Sequence, residues 1–430
     1  MYILFFFLTL IVFSMLTLRR RGNVKSDTDF ALAGRGLSAF GVCGVIVGTL
    51  VGGASTVGTV QLAYSHGITA WLFTLGSGLA CLVLALVFSR PLRREHPATV
   101  SEYIGMTFGA KAQRYTSLFS SLGMFLQVVA QCLAGVAVLR ASLPIGQSTS
   151  LAICFFLIFI FVVIGGMSGS KIIGQLKIGM LYCIMVISAV MAWIMGGGLG
   201  PVLERLPEGD WFNLFALGTS QGMTDMVSMI VGVCSTQIYL QAIFSARDVN
   251  EARKGALLAA AIIPPLGLLA VFIGIYLRGV CPVLPGGSAS ALPAFINTYY
   301  PGPIAAVFTA GLLIIALGTA SGLLLGVSTS LYVDFLQRFS PLQRISSNLT
   351  RIRLCAVIVL MGSFLLVLTG LDSNILEWAF MAMGLRGAAV FPALCFIVLI
   401  GLPAIKPAFR GVLYLGPLAY VFLTLWLKTG

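Results

Sequence analysis

Apolar stretches of about 20 residues recur along this chain, each long enough to cross a roughly 30 Å hydrocarbon core as a helix. They begin near Tyr2, Ser38, Ala70, Ser117, Ser148, Gly174, Gly222, Gly255, Pro303, Ile352, Asn374 and Gly411. Lipid offers no partner to a free N–H or C=O, so such stretches fold as helices that satisfy their own backbone. The spacing predicts an all-α polytopic membrane protein with about twelve transmembrane helices. With 59% hydrophobic and 9% charged residues, the composition leaves no polar segment long enough for a separate soluble domain.

The formal net charge of +13 would suit a nucleic-acid binder if it gathered on one surface. Instead it is spread over alternate loops. Arg19, Arg20, Arg21, Lys25 and Arg35 share the first, and Arg90, Arg93, Arg94, Lys111 and Arg114 the third. Arg247, Arg253 and Lys254 follow, then Arg338, Arg344, Arg351 and Arg353, while the intervening loops hold little beyond Arg140, Arg205 and Arg278. This is the positive-inside pattern, so the charge reports orientation and no nucleic-acid partner is expected. The first basic cluster also follows its apolar stretch, the reverse of a signal peptide. We expect a retained first helix with its N-terminus outside, in a multi-pass protein of the cell (plasma) membrane.

Catalysis has few candidates. His66 and His96 fall in loops, and most cysteines fall in apolar spans without metal-ligand spacing. No enzyme activity and no cofactor are expected. A passive channel would show a filter or repeated pore-lining charge, which the sequence lacks. A non-transporting sensor on a transporter fold stays open as an alternative, although no signalling domain is attached.

The order of the spans suggests a leading helix over 1–20, two halves over 38–197 and 222–400, and a trailing helix over 411–428. Each half has room for about five spans, and an odd number forces the second half to enter from the opposite face. That is an inverted repeat, an arrangement that places a binding site near the midplane.

Within the second span lies "GTLVGGASTVGT", Gly48 to Thr59, a glycine- and hydroxyl-rich island. Each glycine costs about 1 kcal/mol in a helix interior, so the run invites unwinding. Unwound backbone at that depth survives only where it is buried or lines a cavity. A second island, "ALGTASGLLLGVSTS" from Ala316, carries Thr319 and Ser321 at similar depth. Asp225 and Ser228 stand in the outer half of the Gly222 span, and Arg386 lies about 13 Å below Glu377 at 1.5 Å per residue. Together these point to a midplane site for a small organic solute. For its lining we name Ser55 and Thr56 from the broken helix, Trp71 and Thr74 from the next span, and Ser228, Met229 and Gly232. Arg386 has two readings. It is a structural cation neutralised by Asp225 or by helix-end carbonyls, or it clamps a substrate carboxylate, which its planar fork suits. Gly384 and Gly387 beside it would then let a ligand approach.

Three motifs carry a resemblance. "DFALAGRGLSAF" (Asp29 to Phe40), "STQIYLQAIFSARDVNEARKGALLAA" (Ser235 to Ala260) and "AGLLIIALGTASGLLLGVSTSLYVDFLQ" (Ala310 to Gln337) resemble, in order, segments of the sodium:solute symporter family. The resemblance implies a LeuT-type fold and symport of a solute with sodium as the coupling ion. It maps the ion site to carbonyls of Gly48, Val51 and Ile315 and to the hydroxyl positions 318 and 319. Thr319 supplies one hydroxyl, but Gly318 supplies none. A further departure is "GGMSGSKIIGQLKIG", where Gly174 stands in place of the family's Asp, flanked by Lys171 and Lys177. Long lysine stems are expected to snorkel to the inner surface. The alternative is an ammonium standing in for the ion, in a proton-coupled or uncoupled transporter.

Overall fold

In a computed structural model the chain is described over residues 1–19, 36–95, 100–161, 166–336, 348–369, 373–400 and 407–429. Among these residues the structure is all-helical apart from one isolated parallel bridge between Leu37 and Ala246. Several of the basic residues that set the orientation (Arg20, Arg21, Lys25, Arg35, Arg338 and Arg344) lie outside the described residues, as does His96.

The elements that position the site are α1 (Tyr2–Arg19), α2 (Ala39–Leu50), α3 (Thr59–His66), α4 (Leu72–Val83) and α5 (Ala110–Ser142). Then come α6 (Gln147–Ile160), α7 (Gly166–Gly196), α8 (Thr219–Val233), α9 (Gln237–Phe244) and α10 (Val249–Val280). The remainder are α11 (Ala291–Tyr299), α12 (Gly302–Ser330), α13 (Asn348–Thr369), α14 (Ile375–Ile400) and α15 (Pro407–Thr429). Among the described residues 7 helices are long and apolar enough to cross a membrane, or 8 if the bent pair α8–α9 is one span. Shorter apolar helices occupy Tyr2–Phe13, Ala39–Leu50, Gln147–Ile160 and Leu413–Thr424.

Burial sorts these helices into centre and rim. The apolar windows of α5 and α12 are 83% buried, whereas those of Lys177–Gly196 and Thr350–Thr369 are 33% buried. Helices α14 and α12 both pack on α5, which forms the axis of the bundle. The rim helices present Phe156, Ile194, Leu365 and Phe422 outward, each more than half exposed. Such a surface calls for an apolar surrounding, as the core of a bilayer provides.

Helix α10 carries Pro264 and Pro265, which remove backbone donors and free carbonyls of the preceding turn. Neighbouring helices bond other carbonyls beside this pair. Tyr182 donates to the Ile262 carbonyl at 2.7 Å, and the Trp71 indole donates to the Pro264 carbonyl at 2.9 Å. At one end of the bundle, the Ala39 N–H donates to Glu251 and the Leu37 N–H to the Ser245 carbonyl. Those bonds tie the entry of α2 to the first turn of α10 and to the loop that follows α9.

Candidate ion and substrate site

Helix α2 ends at Leu50, where Val51 leaves helical geometry (φ −87°, ψ 104°), and winding resumes at Ala54. The interruption falls within the glycine island. Its freed groups are met by side chains. The Gly52 N–H donates to Ser55 Oγ at 2.8 Å, and the Gly53 N–H donates to Gln131 Oε1 at 2.7 Å. Thr56 donates to the Gly52 carbonyl at 2.9 Å, and the Ser55 hydroxyl lies 3.1 Å from the same oxygen. Ser55 and Thr56 thus cap the break that they belong to. Glycine is needed here for space, because a Cβ at Gly52 would stand 2.7 Å from Gln131 Oε1 and 2.8 Å from Thr319 Oγ1. The Thr319 hydroxyl therefore abuts the unwound segment, at the level of the Gly48 carbonyl.

Lys177 of α7 occupies this junction. Its side chain is 2% exposed, and Nζ donates to the Gly48 carbonyl at 2.8 Å and to Thr319 Oγ1. Thr319 passes its own proton to the Ile315 carbonyl at 2.9 Å. The expectation that Lys177 snorkels to the surface is overturned: charge-assisted bonds to two site oxygens hold the ammonium inside. The side chain of Lys171 lies outside the described residues. Gly318 brings only a carbonyl, which accepts from Ser321 at 2.9 Å.

About one helical turn along α5 from Gln131, four residues at 1.5 Å each, stands Gln127. It meets the other buried cation. Arg386 of α14 is 0% exposed, and its Nη2 donates to Gln127 Oε1 at 3.4 Å and faces Met383 Sδ at 3.1 Å. Nε donates to the Ala382 carbonyl at 3.0 Å, one turn back on its own helix. Nη1 is buried without a hydrogen-bond partner among the described residues. Asp225, one neutraliser considered from the sequence, accepts instead from Gln221 at 2.9 Å. The one carbonyl found on the guanidinium among the described residues, that of Ala382, lies within α14 and not at a helix end.

The other sequence candidates separate into two groups. Ser228 faces Tyr420 of α15 at 3.4 Å and so borders the Arg386 region. Met229 packs over Gly76, and Gly232 packs against the Met383 backbone. Trp71 and Thr74 face α10: Trp71 bonds to it, and Thr74 fills the space left by Gly267 on that same helix. The expected access for a ligand at Gly384 and Gly387 is also corrected, because Tyr420 fills one and Val231 the other. A cavity of about 670 Å³ is lined by Gln61, Leu133, Arg140, Ser288, Asn297 and Ile375 among others. None of the residues named from the sequence for the ion or substrate lines it.

Gln127, Gln131 and Tyr420 were not among the sequence candidates. The glutamines had a signal, since two amides four residues apart inside an apolar span share one helix face. A second break was also missed. Helices α8 and α9 meet at a 42° bend, where Ser235 and Thr236 hydroxyls bond the carbonyls of Val231 and Gly232 at 2.6 and 2.7 Å.

Comparison with known proteins places this geometry in context. The model of the sodium:solute symporter family matches residues 30–414. A monocarboxylic acid transporter of Corynebacterium glutamicum is 22% identical over 91% of this chain and 77% of its own length. High-affinity choline transporter 1 of Drosophila melanogaster is 23% identical over 70% of this chain and 47% of its own. The chain likewise spans about half the length of relatives from Drosophila melanogaster and Bacillus subtilis, 55% and 51%. Among solved structures, a Na⁺-coupled sialic acid symporter in a substrate-bound outward-open state superposes with a TM-score of 0.71 at 18% identity. That match covers 98% of this chain and 95% of the symporter, and the shared fold is LeuT-like.

Proposed function

Because the chain belongs to the sodium:solute symporter family, we propose that it is a secondary active transporter carrying a small organic anion by alternating access. The observation that carries the substrate class is Arg386 Nη1, fully buried and without a partner among the described residues. A desolvated guanidinium calls for an anion, and a carboxylate would meet its fork with two parallel bonds. A monocarboxylate transporter and a sialic acid symporter among the similar proteins are compatible with that reading; a choline transporter, whose named solute is a cation, is not.

In this reading the chain has twelve spans: the leading helix over 1–20, repeats over 38–197 and 222–400 in opposite orientation, and a trailing helix over 411–428. The two breaks support it. One interrupts the first helix of the first half, and the other interrupts the first helix of the second half. The N-terminus lies outside, in the plasma membrane, by the charge of the loops. Sodium is the coupling ion that the family implies, and the positions that correspond to its ion site are the carbonyls of Gly48, Val51 and Ile315 with the Thr319 hydroxyl. A transporter that runs without sodium at this place is a second reading, favoured by one observation: Lys177 bonds two of those oxygens.

Uptake of labelled monocarboxylates into proteoliposomes tests the substrate class. Accumulation of a carboxylate, uncontested by its neutral amide, is the expected outcome. Accumulation of neutral or cationic solutes in place of carboxylates sinks it.

A further inference from the structure

The candidate ion site and a bound Na⁺ disagree in three respects. The Gly48 carbonyl and Thr319 Oγ1 already accept from the Lys177 ammonium. Thr319 spends its single proton on the Ile315 carbonyl at 2.9 Å, so its accepting side faces the lysine. Residue 318 is glycine, so no second hydroxyl is available, and its carbonyl accepts from Ser321. The lysine is no passing visitor. It is 2% exposed on a helix packed against both α2 and α12.

We infer that Lys177 is the resident cation of this site: its ammonium joins the unwound end of α2 to α12, and Na⁺ does not bind there while the lysine is in place. The inference rests on reading Gly48, Val51, Ile315 and Thr319 as the cation site. An ammonium and a Na⁺ on the same two oxygens would stand within about 4 Å of each other. At an effective dielectric of about 20, that repulsion lowers Na⁺ affinity by about a thousandfold. The tether adds to the advantage, because a covalently held cation forms its bonds without the entropy loss of capturing a free ion. The bridge also has a structural consequence. A cation that cannot leave holds α2 to α12 regardless of the sodium outside.

Binding of ²²Na⁺ to the purified full-length protein tests this without any solute. Wild type and Gly318→Ser should show no saturable binding. The double variant Lys177→Ala, Gly318→Ser vacates two oxygens and restores a hydroxyl, so it should gain saturable binding. Adding Thr319→Ala should then weaken that binding by about tenfold or more, as expected for loss of a polar ligand. Two results overturn the inference: saturable binding by wild type that Thr319→Ala abolishes, or a monodisperse double variant that takes up no Na⁺. If the double variant aggregates, the wild type still decides. An unfolding temperature unmoved when choline chloride replaces NaCl supports the lysine, and a Na⁺-dependent rise lost in Thr319→Ala overturns it. Each failure leaves anion transport standing, because that reading is measured separately by uptake.

Discussion

Arg386 and Lys177 are both buried at no more than 2% exposure, yet their surroundings differ in kind. Lys177 has two oxygens on its ammonium, while Arg386 keeps one guanidinium nitrogen without a partner among the described residues. A central Arg costs roughly 2.5–3.5 kcal/mol to insert into lipid, so an incomplete shell is expensive unless a ligand completes it. Arg386→Lys should therefore leave folding and membrane insertion intact, since the charge and the stem remain. It should raise the KM for a carboxylate by about tenfold or more, because a point charge cannot reproduce the bidentate fork. Normal transport by Arg386→Lys would show the residue to be structural. Gln127→Leu offers a milder version: it removes the amide oxygen on Nη2 and should raise KM without abolishing uptake. An unchanged KM in that variant would separate Gln127 from the substrate. Arg386 was legible in the sequence because its depth follows from residue counting. Lys177 was not, because depth does not give direction. A long stem a few turns from the surface can reach water or turn inward, and the nearby oxygens that decide the matter come from distant segments.

At the scale of the element, the two glycines of the break make opposite demands from those of a free helix. A Cβ at Gly53 would stand 2.6 Å from Ala134 Cβ and 2.8 Å from Ala316 Cβ, inside two neighbouring helices. Gly44, two turns earlier on α2, would meet nothing within 4 Å. Gly53→Ala should destabilise by about 1–3 kcal/mol through overpacking, and Gly44→Ala should be neutral or stabilising by up to about 1 kcal/mol. Thermal unfolding of the two variants in one detergent checks the contrast, and equal shifts would mean that the island unwinds by composition alone. The first break was legible because its glycines cluster. The second, at α8–α9, lacks such a run. There the hydroxyls of Ser235 and Thr236 take up freed carbonyls one turn back, and that pairing is ordinary in unbroken helices too. Trp71 and Thr74 are placed by contacts that depth does not reveal. Their depth matched the site, but the proline pair of α10 claims the indole and Gly267 claims the threonine.

For the whole molecule, the bundle and its class followed from hydropathy, while orientation rests on loop charges that lie partly outside the described residues. It can be tested on the residues that are described. If the N-terminus is outside, Ser288 and Gln61 line a cavity that opens outward, and Arg253 with Lys254 starts α10 at the inner face. Each leaflet side then has an accessible reporter. In a background with all native cysteines replaced, Ser288→Cys should react with a membrane-impermeant maleimide on intact cells. Arg253→Cys should react only after permeabilisation. Reaction at Arg253→Cys alone on intact cells would invert the molecule. Alternating access adds a second demand on the same reporters. If the proposed alternating access closes the cavity lined by Gln61 of α3 and Leu133 of α5, those two helices move against each other. Labelling at Ser288→Cys should therefore slow when a transported carboxylate is added, and Arg386→Lys should weaken that protection at a fixed carboxylate concentration. A rate indifferent to every solute that is taken up would mean that the cavity does not take part in transport. The direction of the change matters as much as its size, because a ligand shifts a two-state equilibrium only by its differential affinity for the two states.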